Sequence, residues 1–238
     1  MNRFAKFAAS ALALSLVPAM LMGCGKKEAP TGSDLDYIKQ KHARRRHHRL
    51  RPMDYQDADG SWIGFDADLA KAFAESLGVE VQFQTIEWDN KVMELDGKTI
   101  DVVWNGMTLT DEVTSSMACS NAYCNNAQVV ILPADKAADY STTDSLSVLR
   151  FAVESGSAGM AQAEEKGLTY TDVVDQATAL LEVKSGTADA AIIDSLMAGA
   201  MVGEGTNYAD LAIGPVLNAE TGEQYASASA RARMPQRH

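Results

Sequence analysis

Histidine and cysteine are scarce in this chain, with 4 and 3 copies among 238 residues, and this scarcity excludes several kinds of site. All of the histidines lie in two short segments, at 42–51 and at 226–238. Cys119 and Cys124 therefore have no histidine nearby in the sequence with which they could form a zinc site. We predict no metal site, and we find no motif that calls for a cofactor or supplies a catalytic residue.

Basic residues are also scarce, at 21 lysines and arginines against 32 aspartates and glutamates, giving a formal net charge of -11. Most of the arginines lie in the same two segments, 42–51 and 226–238. Clustered arginine is typical of surfaces that bind nucleic acid. The rest of the chain is strongly acidic, however, and a folded domain seldom separates its composition so sharply. We therefore expect no nucleic-acid partner, and both segments look foreign to the protein around them.

The longest apolar run, at 7–20, follows Arg3 and Lys6 and ends in the sequence LMGC at 21–24. A charged start, a short apolar run and small residues are typical of an export signal. The LMGC motif resembles the lipobox of bacterial lipoproteins, which implies that Cys24 carries a lipid. We expect a signal peptide at 1–23, a polar tether at 24–33, and an exported protein that is lipid-anchored to the outer face of the cell membrane. An uncleaved anchor helix is the alternative interpretation.

The body of the chain alternates strands and helices. Apolar residues recur at helical spacing from Phe65 to Leu77, and the apolar run at 100–104 is typical of a buried strand. A second unit, at 151–194, repeats this alternation. An extended apolar segment at 128–133 lies between the two units, and a second candidate crossing lies near the end of the chain at 211–217. The pattern predicts an α/β protein with two lobes around a cleft.

Five blocks of the body carry a family resemblance. They read GSWIGFDADLAKAFAESLG, GKTIDVVWNGMTLTDE, SNAYCNNAQVVIL, SGSAGMAQAEE and SGTADAAIIDS. In order and spacing they resemble the family 3 extracellular solute-binding proteins of amino-acid ABC importers. The resemblance covers about residues 52–225. It implies a two-lobed, periplasmic-binding-protein-like (type II) fold with two hinge strands, whose lobes close on a ligand.

The same resemblance implies a domain plan and a function. Lobe 1 would occupy 34–131, lobe 2 would occupy 132–213, and the chain would return to lobe 1 at 214–238. The protein would be a monomer that binds a small molecule, an amino acid or amine, and delivers it to an ABC transporter permease. The alternative is an enzyme on the same scaffold, similar to cyclohexadienyl dehydratase, which would need an added catalytic acid that we do not find.

The segment HARRRHHRLR, at 42–51, stands where the family has an apolar first strand. Unpaired arginine is almost never buried, so we expect that this segment cannot form the strand and that lobe 1 is incomplete. In a shifted reading frame, codons for the segment can spell GTLVVGITDFA. Codons for the tail after Tyr225 can likewise spell GVGFRKGSDAAKA, which is similar to the family's continuation. We interpret 42–51 and 226–238 as frameshift products, with the C-terminal end of the fold truncated.

In lobe 1, the resemblance implies that four residues meet the ligand. Asn105, Gly106 and Thr108 match the loop whose carbonyl and hydroxyl groups contact it, and Tyr55 matches an aromatic wall. The residues themselves also allow a simpler interpretation, in which Asn105 and Gly106 form a tight turn and Thr108 caps a turn.

In lobe 2, Asp194 matches the carboxylate that pairs with the ligand α-ammonium group. Gly156 and Ser157 match a turn at a helix N-terminus, where free N–H groups suit a carboxylate. Glu154 occupies a position that lines the cleft. The alternative for Asp194 is that it caps the helix that follows it.

One position departs from the family pattern. Two residues after Asp111 the family usually has an arginine that binds the ligand α-carboxylate, and this chain has Val113. The carboxylate would then rely on the turn at Gly156 and on Thr108, or the ligand would have none. Because Glu154 makes the pocket negative together with the Asp194 carboxylate, we expect a polar or cationic amino acid or an amine.

Cys119 and Cys124 leave two alternatives open. Export would permit a disulfide between them if the intervening segment turns. The other interpretation is that Cys119 is buried and Cys124 is free.

Overall fold

The computed structural model describes residues 43–46, for which only the backbone is considered, and residues 52–231. The expected signal peptide, the lipidation site Cys24 and the tether lie outside the described residues. Within the described part of the chain, no helix is long and apolar enough to cross a membrane.

Lobe 1 is built on a mixed sheet of six strands with short helices. Its sheet has the order β4-β1-β5-β13-β6, and β7 also pairs with β13. The elements of its first passage are β1 (Ala43–Arg46), β2 (Tyr55–Gln56), β3 (Trp62–Ile63), α1 (Phe65–Leu77), β4 (Val81–Gln84), α2 (Lys91–Asp96), β5 (Val102–Thr108), α3 (Asp111–Ser116), β6 (Met117–Cys119) and β7 (Cys124–Asn126). A 3-10 turn at Trp88–Asn90 precedes α2.

Lobe 2 is a five-stranded sheet flanked by three helices. Its strand order is β10-β9-β11-β8-β12, in which β9, β10 and β11 are parallel and β8 and β12 complete the sheet antiparallel to their neighbours. The elements are β8 (Gln128–Pro133), β9 (Arg150–Glu154), α4 (Ala158–Glu165), β10 (Thr169–Val173), α5 (Gln176–Ser185), β11 (Ala190–Asp194), α6 (Ser195–Met201) and β12 (Leu211–Val216). A 3-10 helix at Thr143–Val148 lies between β8 and β9. The chain then returns to lobe 1 as β13 (Glu223–Ala230).

The sequence pattern explains most of these elements. Helix α1 ends where predicted, because Gly78 adopts a left-handed conformation with φ 68° that suits a residue without a Cβ. The apolar run at 100–104 begins β5, and five residues of this strand are buried. In lobe 2, the residues of β11 are all buried, as expected of a central strand with both faces covered.

The crossings between the lobes differ slightly from the sequence-based boundaries. Both β8 and β12 pair along their length within the lobe 2 sheet, so the chain passes between lobes near Ala127 and again at 217–222. The predicted boundaries, after 131 and after 213, fall inside these two strands. The reason is that the apolar residues of β8 continue the lobe 2 core, where Val129 and Ile131 are buried.

The arginine-rich segment takes part in the lobe 1 sheet, which corrects the expectation that it cannot do so. Ala43–Arg46 pairs in parallel with β4 on one side and with β5 on the other. A parallel ladder uses backbone N–H and C=O groups, which every residue type but proline supplies. The position of the expected first strand is therefore occupied, and the frameshift interpretation of the segment stays a prediction.

The tail after Tyr225 also forms a strand. β13 pairs antiparallel with β5 through Ala226 and Ala228, and both alanines are buried. β13 lies inside the sheet, between β5 on one side and β6 and β7 on the other, where small side chains can be fully covered. Residues 232–238 lie outside the described residues, so the truncation of the C-terminal end of the fold stays a prediction.

Candidate functional site

A cavity of about 390 Å³ opens between the two lobes. Its size falls within the range usual for small-molecule sites. Lobe 1 contributes the end of β5, the start of α3 and the turn before α2, whereas lobe 2 contributes the ends of β9 and β11 and the first turns of α4 and α5. The lining residues are Trp88, Lys91, Asn105, Gly106, Met107, Thr108, Thr110, Asp111, Glu112, Val113, Glu154, Gly156, Ser157, Ala158, Met160, Ala161, Glu164, Gln176 and Asp194.

The structure brings together seven of the eight ligand-site residues that the sequence singled out. Asn105, Gly106, Thr108, Glu154, Gly156, Ser157 and Asp194 all line the cavity. Tyr55 does not line it, because it pairs with Ile63 in the small sheet of β2 and β3. Tyr55 follows the arginine-rich segment closely in the sequence, where the resemblance to the family begins, so its position in the family pattern was poorly defined.

Asp194 ends β11 and is almost fully buried at the back of the cavity, with 4% of its surface exposed. Its carboxylate accepts hydrogen bonds from the side-chain amides of Asn126, Gln128 and Gln176, of which the Gln128 contact is 2.8 Å long. It makes no capping bond to the helix that follows, so the capping alternative is not realised. Burial raises the pKa of this carboxyl, and the three amide donors oppose that rise by favouring the charged form.

Glu223 shares two of the amide partners of Asp194, namely Asn126 and Gln128. One carboxylate oxygen accepts hydrogen bonds from Gln128 at 2.7 Å, from Thr108 at 3.1 Å and from Asn126. Burial, and next the nearby charge of Asp194, raise the pKa of Glu223 to about 7. Because Thr108 belongs to β5 and Gln128 to β8, the pair of carboxylates joins groups from both lobes at the crossing.

The raised pKa values of three buried carboxyl groups predict how the stability of the protein depends on pH. The pKa values of Glu223, Asp66 and Asp54 are raised by burial to about 7, about 6 and about 9. A carboxyl with a raised folded pKa binds its proton more tightly in the folded state, so its stabilising contribution is full below the unfolded pKa and is lost as the pH rises through the folded value. The melting temperature of the unliganded protein should therefore fall from pH 5 to pH 8.

Two variants measure how much Glu223 contributes to this decrease in melting temperature. Glu223→Gln should flatten the part of the profile between about pH 4.5 and pH 7. Glu220→Gln, at an exposed position of the same connection, should leave the profile unchanged. A wild-type melting temperature that rises steadily over the same interval would contradict the assignment.

A buried aspartate fixes the backbone near the end of β5. Asp66, in the first turn of α1, accepts hydrogen bonds from the Gly106 amide at 2.6 Å and from the Tyr123 hydroxyl at 2.9 Å. Gly106 has a φ of 50°, which is strained for residues with a Cβ. The carboxylate therefore holds the backbone at Asn105 and Gly106, which lie within β5 rather than in a tight turn, in one conformation. Asn105 lines the cavity with only 2% of the residue exposed.

Gly156 brings the lobes into direct contact. It lies between β9 and α4 with a φ of 67°, and a Cβ at this position would stand 2.8 Å from the backbone Cα of Asp89 in lobe 1. The next residue, Ser157, caps α4 by accepting a hydrogen bond from the Met160 amide at 3.1 Å. The turn is thus placed by the helix cap, and it touches lobe 1 across the mouth of the cavity.

This contact gives a prediction with a matched control. Gly156→Ala should weaken ligand binding about 10-fold or more, because the methyl group would hold the lobes apart and the closed state would be less populated. Gly167→Ala places the same residue at the same kind of backbone conformation, φ 64°, with no atom within 4 Å of the added Cβ. Calorimetric titration of both variants separates lobe contact from backbone strain, and equal losses in the two would refute the role of the contact.

The sequence analysis missed residues that line the cavity or support it. Lys91 is buried in the lining, and Gln176, at the start of α5, holds Asp194. Asn126 and Gln128 lie outside the lining but provide two of the three amides on Asp194. No spacing signal identifies them, because their partners are distant in sequence. Val113 is buried beside the cavity, as its apolar character requires.

Cys119 and Cys124, the cysteines within the described residues, are free thiols. Cys119 pairs with Ala228 of β13 and Cys124 with Tyr225, three positions further along the same strand. Three residues of a strand span about 10 Å, which exceeds the roughly 7 Å that a disulfide can bridge. The candidate disulfide is therefore not formed in this arrangement, and Cys119 is half-buried rather than fully buried.

The arrangement suits reversible binding. Two α/β lobes with a polar cleft between them, crossed by two connections, define the class of two-lobed binding proteins. Residues 47–198 match the sequence profile of the bacterial extracellular solute-binding proteins, family 3. The chain belongs to this family, and its fold is the type II periplasmic-binding fold.

Curated relatives agree with this assignment. The arginine-binding extracellular protein ArtP of Bacillus subtilis is 28% identical over 181 residues, which are 73% of this chain and 64% of ArtP. The L-cystine-binding protein TcyJ of Escherichia coli is 28% identical over 149 residues, which are 62% of this chain and 56% of TcyJ. The matches thus span less than two thirds of the length of these relatives.

Solved structures give the same result for the fold. Holo ArgBP from T. maritima superposes with a TM-score of 0.74 at 32% identity, covering 82% of this chain and 86% of that one. The ancestral amino acid-binding protein AncCDT-1, described as a precursor of cyclohexadienyl dehydratase, has a TM-score of 0.74 at 29% identity, covering 84% and 86%. Both are similar to this chain over both lobes.

Proposed function

We propose that this protein is the substrate-binding component of an amino-acid ABC importer, which binds a polar or cationic amino acid or an amine in the interlobe cavity and delivers it to the permease. The observation that carries the proposal is the buried Asp194 carboxylate at the back of the cavity. Three side-chain amides orient it, so it offers a fixed acceptor to a ligand ammonium group. A charge-assisted hydrogen bond of this kind contributes about 1.5–3 kcal/mol.

The other proposed ligand contacts follow the cavity lining. In the proposal, Asn105, Gly106 and the hydroxyl of Thr108, all in β5, face the ligand from lobe 1, whereas Gly156 and Ser157 face it from lobe 2. Glu154 is 3% exposed at the end of β9, and it favours a ligand with positive charge. Tyr55 has no place in this site.

The names of the relatives support a cationic ligand. ArtP and ArgBP are named for arginine, while TcyJ is named for L-cystine. We extend the proposal to export and to a lipid anchor at Cys24, with a monomer as the active form. These points rest on the N-terminal sequence pattern and on the family, whose members are extracellular.

The enzyme alternative has less support. AncCDT-1 is connected by its description to cyclohexadienyl dehydratase, yet it is itself described as an amino acid-binding protein. We therefore propose a binding protein that performs no chemistry on its ligand.

A thermal-shift panel tests the proposed function. A ligand at 100 times its dissociation constant stabilises the folded state by about 2.7 kcal/mol, which raises the melting temperature by several degrees. Arginine, lysine, histidine and glutamine should be compared with spermidine and glutamate at equal concentrations. We expect the largest rise with a cationic amino acid or amine, and preferential stabilisation by glutamate would refute this ligand class.

A further inference from the structure

The cavity lacks the arginine that the family resemblance leads one to expect for the ligand carboxylate. Val113 fills that position with 1% of its surface exposed. Its amide donates to the Thr110 hydroxyl at the start of α3, so neither its side chain nor its backbone offers a cation or a second donor to a ligand. An α-carboxylate entering this cavity needs another positive partner.

Lys91 is the one basic residue among the described residues that line the cavity. It begins α2 and is 2% exposed, which is unusual because lysine is almost never fully buried without a partner. An apolar residue would be the ordinary choice at the buried first turn of a short helix. The position of Lys91 therefore needs a reason beyond packing.

The surroundings of the ammonium group leave it capacity for a ligand. Its nitrogen donates to the Gly156 carbonyl of lobe 2 at 2.9 Å, and the Glu112 carboxylate lies 3.9 Å away, beyond hydrogen-bond distance. The Trp88 ring lies beneath it, with the centroid at 5.5 Å. An ammonium group has three donors, so one short hydrogen bond does not saturate it.

The charges around the cavity make this spot distinct. The other ionisable groups in the lining are the carboxyl groups of Asp111, Glu112, Glu154, Glu164 and Asp194. These carboxyl groups disfavour an anion over most of the lining, and the ammonium group of Lys91 is the one positively charged side chain among the described residues of the lining. Burial lowers the pKa of Lys91, and the nearby carboxylates of Glu112, Asp89 and Glu154 oppose that effect. A ligand carboxylate would act in the same direction as these carboxylates.

We infer that Lys91 is the residue that recognises the ligand α-carboxylate, and that it takes over this task from the absent arginine. The inference rests on the proposed amino-acid-binding function and names a determinant of its specificity. Lys91 belongs to lobe 1 and Asp194 to lobe 2, so the carboxylate and the ammonium group on one ligand carbon would bind opposite walls. The hydrogen bond from Lys91 to Gly156 would then couple carboxylate binding to contact between the lobes.

The test uses two ligands that differ in the carboxylate alone. L-arginine and agmatine, its decarboxylated analogue, are titrated calorimetrically into the wild-type protein and into Lys91→Met, which keeps the length and volume of the side chain. We expect Lys91→Met to weaken arginine binding about 10- to 100-fold while agmatine binding changes less than threefold. Lys91→Arg should recover most of the arginine affinity, because the charge returns.

The other outcomes overturn the inference in separable ways. Equal losses for arginine and agmatine would show that Lys91 only links the lobes. Agmatine binding to the wild type as tightly as arginine would show that no carboxylate is recognised, although the amine-binding part of the proposed function would stand. Absence of binding of arginine, lysine, histidine, glutamine, agmatine and spermidine to the wild type would overturn the proposed function together with this inference.

Discussion

Replacing Asp194 with asparagine should lower the affinity for a cationic amino acid about 100-fold or more. The substitution removes the negative charge that would pair with the ligand ammonium group, a contact of about 1.5–3 kcal/mol. It also turns one acceptor oxygen into a donor that faces the amides of Asn126, Gln128 and Gln176. The residual network would no longer hold a single orientation, so the loss should exceed that of the charge alone.

The control for this prediction is another lobe 2 carboxylate. Asp210 is exposed and pairs with Lys184 at 3.4 Å on the surface, away from the cavity. Asp210→Asn should change the dissociation constant less than twofold, because exposed ion pairs contribute about 1 kcal/mol or less to stability and this one does not touch the site. Both variants should show a cooperative melt. An Asp194→Asn protein that binds within threefold of the wild type would remove Asp194 from the site.

The second large effect concerns the strand at 43–46. Replacing residues 42–51 with TLVVGITDFA, the sequence that the shifted frame spells, should raise the free energy of unfolding by several kcal/mol. The segment lies between β4 and β5, and a strand with neighbours on both sides is normally apolar on both faces. Each fully buried valine, leucine or isoleucine contributes about 1.5–3 kcal/mol relative to exposure.

A polar replacement separates burial from charge. The variant with TSTTGNTDSA at 42–51 removes the arginines and keeps residues that tolerate a strand, but it adds no apolar surface. Chemical denaturation should show a much smaller gain for this variant than for TLVVGITDFA. If the apolar replacement leaves stability unchanged or lowers it, the frameshift interpretation of the segment loses its physical basis.

Local patterns in the sequence carried much of the fold. The helical spacing from Phe65 to Leu77, with Gly78 after it, predicted the bounds of α1. The face that this spacing marks is not the buried one, because Phe65 and Phe73 are exposed whereas three alanines of the helix are buried. The two-lobed plan was also predictable, since strands alternate with helices on both sides of 128–133. The short strand β10, at Thr169–Val173, was missed because most of its residues are exposed and show no apolar pattern.

The arginine-rich segment shows the limit of composition as a guide. Its residue types argued against a strand, yet its backbone pairs with two neighbours in register. Whether a segment joins a sheet as a strand depends on whether the adjacent strands have backbone N–H and C=O groups left to pair. These groups belong to β4 and β5, and the segment's own sequence does not show them. The side chains of a segment predict how much stability is lost when it forms this strand, whereas the topology of the sheet determines which segment lies between β4 and β5.

Some residues of the candidate site could be identified from the sequence and others could not. Residues that belong to quoted family blocks, such as Gly106 and Asp194, were found because the blocks place them. Gln128 also lies in a quoted block and Lys91 does not, yet neither role was found, since these roles depend on contacts with residues 66 and 65 positions away. A single sequence shows the side chain in such cases, but it does not show the partner.

Calorimetric titration of the wild-type protein with L-arginine tests the central claim most directly, which is that the cavity between the lobes binds an amino acid. The account predicts one site per chain, with a dissociation constant in the micromolar range or below, and binding that Asp194→Asn weakens about 100-fold or more while Asp210→Asn leaves it intact. The absence of any heat of binding with arginine, lysine, histidine and glutamine up to millimolar concentration would contradict it. Tighter binding of glutamate than of arginine would contradict the assigned charge of the site.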